Sequence, residues 1–237
     1  MYYTHEQQES KKNTHPMCTA LPPMTVDRDA GLLCNEYLLK RNLDPVLAQD
    51  NGWFPSREAG DSFLRIVIPC VTHKTAHVYW QARNVTGKAY LRYQSPKGPR
   101  HEALCVIHPE QETLGNVVVE GPLDALAAAG AGYTGYSLMG MRPSQATLMH
   151  LALLLTTSEG HEALHTLICL DRGEVANGIK VATFLASQSL PAAVAELPEK
   201  DLAECLPKVR EKFLHQSFKH LFKSRSSVKR LQTGPCA

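Results

Sequence analysis

The sequence contains no Cys-x-x-Cys pair. Its seven cysteines (Cys18, Cys34, Cys70, Cys105, Cys169, Cys205 and Cys236) are odd in number and widely spaced. That pattern excludes a cysteine zinc ribbon, and no zinc is expected. Cysteines inside apolar runs, such as Cys169 in Leu167-Ile168-Cys169-Leu170, read as reduced core thiols. The eleven histidines form neither His-x-His nor His-Glu-x-x-His spacing. His161 and His165 stand four apart with Glu162 as the sole nearby carboxylate, which is poor metal context. There is no GxxxxGK[ST] sequence, so no helicase motor is expected. The N-terminus lacks an apolar signal-like stretch, and no apolar run reaches membrane-spanning length. A soluble cytoplasmic protein with no membrane partner is expected. Internal repeats are absent, and Trp53 and Trp80 read as core.

Hydrophobic residues make up 43% and charged residues 20% of the 237 residues, enough for one or two domains with a real core. The net charge of +2 conceals a basic tail: Lys208, Arg210, Lys212, Lys219, Lys223, Arg225, Lys229 and Arg230 face a single acid, Glu211. The polar, aperiodic residues 1–28 predict a disordered arm. Leu32, Leu33, Tyr37 and Leu38 predict an amphipathic helix over 30–40. Residues 42–61 read as a short helix followed by turns. Strands are expected over 63–69, 75–82 and 90–93, with a turn at Thr86-Gly87-Lys88. Further on, strands at 117–119, 166–170 and 192–196 alternate with helices at 122–129, 144–156 and 179–188, which implies a parallel sheet with right-handed crossovers. A last helix over 207–223 carries Val209, Phe213, Leu214, Phe218, Leu221 and Phe222 at helical spacing and a basic outer face.

Three acids follow the parallel strands: Glu120, Asp171 and Asp201. Ligand sites of open α/β sheets lie beyond the carboxyl ends of the strands. Carboxylates gathered there repel one another unless a cation neutralises them, and oxygen-only ligands favour Mg²⁺ or Mn²⁺. Each acid can equally cap the helix that follows it.

The string Val118-Val119-Glu120-Gly121-Pro122-Leu123-Asp124-Ala125-Leu126 resembles the first motif of Toprim domains. The second motif is resembled by Leu170-Asp171-Arg172-Gly173-Glu174-Val175-Ala176-Asn177-Gly178, running on to Lys180 and Ala182. Lys200-Asp201-Leu202-Ala203-Glu204 resembles the closing Lys-Asp-x-x-Asp element, and Leu138-Met139-Gly140 the apolar-Gly strand end between the first two motifs. Upstream, Arg65-Ile66-Val67-Ile68-Pro69, Gln81-Ala82-Arg83 and Arg92-Tyr93-Gln94-Ser95-Pro96 resemble the basic subdomain that precedes Toprim in DnaG-like primases. The set resembles compact phage primases lacking a zinc ribbon and a helicase domain.

This resemblance implies an α/β chain, α+β overall. A small mixed basic subdomain (29–115) precedes a Toprim Rossmann-like parallel sheet (116–206) and a basic helical tail (207–237). It implies RNA primer synthesis on single-stranded DNA from ribonucleoside triphosphates, with a separately encoded helicase as partner. Glu120 and Asp171 would be catalytic, and Glu120, Asp171, Glu174 and Asp201 would hold Mg²⁺ or Mn²⁺. Arg83, Arg92, Lys97 and Lys200 would meet phosphates, and Tyr93 would stack on a base. The sequence departs from the motif at Gly173, where a second Asp is usual, and at Glu204. Glu174 can replace that Asp by a small register change; otherwise one metal site is weakened, or activity is lost. A metal-dependent Toprim nuclease and a non-catalytic single-stranded DNA-binding protein therefore stay open.

Overall fold

Asp27 and Asp44 start the N-terminal helices. The Asp27 carboxylate accepts from the Asp29 N–H at 2.9 Å and opens α1 (Arg28–Leu39). Asp44 accepts from the Val46 and Leu47 N–H groups, and Pro45 sets the first turn of α2 (Pro45–Asp50). In the computed structural model the described residues are 20–72, 79–98, 103–140, 142–156 and 164–231, with backbone alone from 221 onward. The helix α1 turns a different face inward from the one expected. Ala30, Cys34 and Leu38, spaced by one turn, are buried, whereas Leu32 and Leu33 are exposed. Residues 1–19 of the expected arm lie outside the described residues. Residues 20–27 run beside strand β1 (Phe54–Ser56), where the Thr25 N–H donates to the Pro55 carbonyl.

Among the described residues one nine-stranded sheet runs through the molecule. Its further strands are β2 (Arg65–Thr72), β3 (Tyr79–Asn84), β4 (Tyr93–Gln94), β5 (Ala103–Ile107), β6 (Asn116–Val119), β7 (Thr134–Ser137), β8 (Thr166–Ile168) and β9 (Ala192–Val194). Their order is β4-β3-β2-β5-β7-β6-β8-β9, with β1 on β2. Pairing is antiparallel from β4 to β7 and parallel across β7, β6, β8 and β9. The crossovers of the parallel half are α3 (Pro122–Ala129), α4 (Gln145–Thr156) and α5 (Val175–Ser187). This is the expected mixed α/β architecture. The strands β1 and β5 are additions to the expected set, β7 ends just before the strand end expected at Leu138-Met139-Gly140, and residues 75–78 of the expected strand over 75–82 lie outside the described residues.

Both faces of the parallel half are covered, so its strands are apolar on both sides. Val117 and Val119 join the core beneath α1 and α3, while Val118 joins the core beneath α4 and α5. The helix α3 packs directly on β7 because residue 135 is glycine: a Cβ there would stand 2.2 Å from the Ala125 carbonyl oxygen. The last helix, α6 (Pro207–Leu231), extends beyond the expected end at Lys223. Its Phe218 ring stacks on Tyr133 with centroids 4.6 Å apart and covers Gly115, where a Cβ would meet the ring at 2.6 Å. Arg210, expected on a basic outer face, is instead buried and donates to the Asn42 carbonyl at 3.0 Å. That bond ties α6 to the turn between α1 and α2. Trp53 and Trp80 are buried, as are Cys34, Cys105, Cys169 and Cys205; Cys70 is half-buried, and all five thiols are free. Cys18 and Cys236 lie outside the described residues. No described helix is long and apolar enough to cross a membrane.

Candidate functional site

The parallel register brings the expected acids to one end of the sheet. Glu120 follows β6 and Asp171 follows β8 by three residues; the pairing of Val118 with Ile168 sets these ends side by side. The Cys169 N–H donates to the Val118 carbonyl and the Ala195 N–H to the Ile168 carbonyl, so the alignment continues past the strands. The Ser137 hydroxyl, at the end of β7, donates to the Glu120 carbonyl at 3.0 Å. Two bonds then draw in the loop after β9. The Arg172 N–H donates to the Lys200 carbonyl at 2.8 Å, and the Ala203 N–H donates to the Asp124 carboxylate at 2.9 Å. Asp201 thereby meets Asp124 and Asp171.

Capping accounts for part of this arrangement. Asp201 accepts from the Glu204 N–H at 2.7 Å and so closes its own turn. The N-cap of α3 is Gly121, not Glu120, and Glu174 at the N-cap of α5 makes no side-chain capping bond. The turn through Gly173 has φ +92, a conformation that glycine adopts freely and aspartate adopts only under strain. Glu174 follows this turn. Its carboxylate accepts from the Asn177 amide, and its charge reaches Glu120.

A pocket of about 130 Å³ lies over these acids. One wall holds Glu120, Asp124, Asp171 and Asp201, and the facing wall holds Arg41, Arg83 and Arg92. No ion pair spans the walls among the described residues. The basic wall comes from the antiparallel half. Arg83 of β3 pairs directly with Tyr93 of β4, so both side chains share a face. The Arg83 guanidinium lies 4.9 Å from the Tyr93 ring centroid and 5.5 Å from that of Tyr37 on α1, and Arg41 lies 5.9 Å from Tyr37. The Nε atoms of Arg41 and Arg83 are buried without a hydrogen-bond acceptor, and Glu120 Oε2 is buried without a donor. Such orphaned groups are costly unless a ligand completes them.

The acids raise one another's pKa. Burial pushes Glu120 up to about 7, assisted by the charges of Asp171, Glu174 and Asp201. Asp124 is likewise raised to about 7 by burial and then by Asp201, against the stabilising Ala203 N–H. Asp171 is raised by burial and by Asp201, with Lys200 opposing. Burial raises the Tyr93 hydroxyl, and the Arg83 charge opposes it. A frustrated acidic cluster with an orphaned oxygen fits a divalent cation in charge and donor chemistry. As placed, no group of three or more His, Cys, Asp or Glu among the described residues is arranged to hold a metal ion.

The other expected site residues, Glu174, Lys97 and Lys200, are not part of the pocket lining. Lys200 is exposed beside Glu204 at 4.0 Å, and Lys97 is exposed in the loop after β4. Arg41 and Asp124 were not assigned to the site by the sequence reading. Asp124 stood within the quoted first motif, four residues after Glu120; the helical end at Arg41 carried no signal.

No family model matches the sequence, and no curated protein matches it. Solved structures do. The primase of Aquifex aeolicus, comprising zinc-binding and RNA polymerase domains, aligns at 18% identity and TM-score 0.57, over 84% of this chain and 56% of that one. The RNA polymerase domain of Mycobacterium tuberculosis primase DnaG, in complex with a double-stranded DNA oligomer with a six-nucleotide overhang, aligns at 18% identity and TM-score 0.57, over 80% and 74%. The primase fragment of the bacteriophage T7 primase-helicase aligns at 20% identity and TM-score 0.52, over 76% and 72%. The chain therefore shares the fold of primase RNA polymerase domains.

Proposed function

We propose that this chain is a DnaG-like, phage-type primase that makes short RNA primers on single-stranded DNA, with a Toprim-type catalytic half over 116–206 and a nucleic-acid- and nucleotide-binding half over 29–115. The observation that carries this reading is the pocket in which four carboxylates face three arginines with no ion pair between them. Such a lining would suit a metal ion against the carboxylates and an anionic substrate against the arginines. The shared fold with primase polymerase domains, some solved with DNA, supports the same reading.

Primer synthesis joins a 3′-hydroxyl to the α-phosphate of a nucleoside triphosphate, with pyrophosphate leaving. Asp171, Asp201, Glu174 and Glu120 would hold Mg²⁺ or Mn²⁺, whose charge lowers the hydroxyl pKa and offsets charge on the leaving oxygens. Glu120, whose Oε2 is buried without a hydrogen-bond partner at the end of β6, would take the hydroxyl proton. Arg41 and Arg83 would hold the triphosphate through charge-assisted hydrogen bonds, and Arg92, exposed while also lining the pocket, would reach template phosphates. Lys97 and Lys200, both exposed, would contact template phosphates from outside the pocket. A separately encoded helicase would supply the opened strand.

A priming assay tests the reading. The chain is incubated with single-stranded DNA, labelled ribonucleotides and Mg²⁺ or Mn²⁺, beside Asp171→Ala. Short labelled RNA from the native chain alone is the expected result. Cleaved DNA in place of new RNA would turn the reading toward a metal-dependent nuclease. Binding without either reaction would turn it toward a non-catalytic DNA-binding protein.

A further inference from the structure

The tyrosine that the motif resemblance marks for base stacking is already engaged. Tyr93 is half-buried and carries the Arg83 guanidinium on its ring. Three residues earlier, Tyr90 is 99% exposed, and Leu91 beside it is 50% exposed. A single exposed aromatic is unremarkable on most surfaces, but Tyr90 differs in how it is held and in what surrounds it.

The segment between β3 and β4 is pinned at its base. Asn84, itself buried, accepts from the Gly87 N–H at 2.8 Å through its side chain, and its own N–H donates to the Arg92 carbonyl at 3.0 Å. The Leu91 carbonyl accepts from the buried Arg65 guanidinium at 3.1 Å. The backbone on both sides of Tyr90 is thus fixed to the sheet, and the ring is presented to solvent by an anchored segment. From Asn84 to Gly98 the sequence holds Lys88, Arg92 and Lys97 and no acid. All three cations are exposed, and Arg92 also lines the acidic pocket. The Cα atoms of Tyr90 and Arg92 lie at most about 7 Å apart, since two residues of chain span no more. An exposed π-face with cations on either side, next to a pocket for triphosphates, matches what single strands require: stacking for the bases and positive charge for the backbone.

We infer that Tyr90 is a stacking platform for a base of the single-stranded DNA template, with Arg92 and Lys88 holding the phosphates that flank that base. The inference rests on the polymerase reading of the neighbouring pocket. Because the Tyr90 ring makes no packing contact that the fold needs, its replacement leaves the protein folded.

The test is fluorescence anisotropy of a labelled oligodeoxythymidylate titrated with the full chain, repeated with an abasic strand of equal length. Native protein is compared with Tyr90→Ala, Tyr90→Phe and Arg92→Ala. Tyr90→Ala is expected to weaken binding of the base-bearing strand roughly 5- to 150-fold, the range for one lost base–aromatic stack. Tyr90→Phe is expected to bind like native, and the abasic strand to bind native and Tyr90→Ala alike. The salt dependence should not change with Tyr90→Ala, since no charge is removed. If Tyr90→Ala binds like native while Arg92→Ala is weakened, the stacking assignment is overturned and the pocket reading stands. Equal weakening by Tyr90→Phe and Tyr90→Ala would likewise overturn stacking. Failure of the native chain to bind either strand overturns both.

Discussion

The Arg65 guanidinium, fully buried in β2, holds both carboxylate oxygens of Asp61, through Nε at 3.0 Å and Nη2 at 2.8 Å. The same guanidinium donates to the Ala82 and Leu91 carbonyls, and Asp61 also accepts from the Gln94 amide. Gly60 leaves room for this: a Cβ there would overlap the Gln94 side chain. Arg65 and Asp61 therefore fix β4 and the segment before it, which carry Arg92 and Tyr93 to the pocket.

Removing one member of this pair strands the other. Asp61→Asn is expected to destabilise the fold, because a fully buried guanidinium loses its counter-charge; buried pairs broken this way typically cost about 3–5 kcal/mol, and the partial exposure of Asp61 puts the effect at or below the lower end. The pH dependence has a definite sign. The Arg65 hydrogen bond holds the Asp61 carboxyl below its ordinary value. The stabilisation is thus complete above the unfolded pKa, about 3.9, and disappears as the pH falls through the lower folded value. Melting curves of native and Asp61→Asn protein should be well separated at pH 7 and converge in strong acid. Parallel curves at all pH values would show that the pair contributes nothing through charge.

Gly173→Asp is the substitution that restores the usual second acid of the motif. It is expected to harm the protein, not repair it. The backbone at residue 173 has φ +92, and the space around it is open, so strain arises from the backbone and not from crowding. Left-handed conformations cost an ordinary residue about 1–2 kcal/mol. An unfolding free energy from urea titration lowered by that amount, with no gain in priming, would support Glu174 as the acid supplied by this turn. A gain in priming would show that the pocket wanted the aspartate.

How far the sequence exposed this site depended on where the information lay. Val117-Val118-Val119 reads as a buried strand because both of its faces are covered, and the motif acids fall at strand ends whose register the parallel pairing then supplies. The strand β7 was readable only at its end, from the resemblance at Leu138-Met139-Gly140. Thr134-Gly135-Tyr136-Ser137 has the composition of a loop, and Gly135 is there because α3 leaves no space for a side chain. Arg41 was missed for a related reason. It lies in the turn just after α1, and only the tertiary fold, which sets Arg83 of β3 over the Tyr37 ring, brings it to the pocket. The face of α1 was misjudged because Ala30 and Cys34 are small, while the larger Leu32 and Leu33 dominate the helical pattern yet stay exposed.

The acidic wall should make the protein sensitive to pH in the absence of divalent ions. Glu120 titrates near 7 when folded and near about 4.3 when unfolded. A raised folded pKa gives stability that is complete below the unfolded value and is lost as the pH rises through the folded one. With EDTA present, native protein is expected to melt at a lower temperature than Glu120→Gln at pH 8, and the difference should vanish near pH 4. Mg²⁺ should raise the native melting temperature more at pH 8 than at pH 5, since more carboxylates are then ionised to receive it. A Mg²⁺ effect independent of pH would remove the acidic wall as its binding site.

Arg83→Lys keeps the charge and removes the plane. The guanidinium of Arg83 stands 4.9 Å from one tyrosine centroid and 5.5 Å from another, and its Nε is buried without an acceptor. A lysine ammonium has no flat face to lie against these rings and cannot present a bidentate fork to a phosphate. If Arg83 holds the triphosphate, the substitution should raise KM for ribonucleotide roughly tenfold, the effect of losing about 1.4 kcal/mol of binding. kcat would change less, because the acids that act on the hydroxyl are untouched. Loss of the stack would also lower the melting temperature by an amount that Tyr93→Leu reproduces. Should KM stay at its native value while the melting temperature falls, Arg83 would be a structural bridge between α1 and β4, and phosphate binding would pass to Arg41 and Arg92.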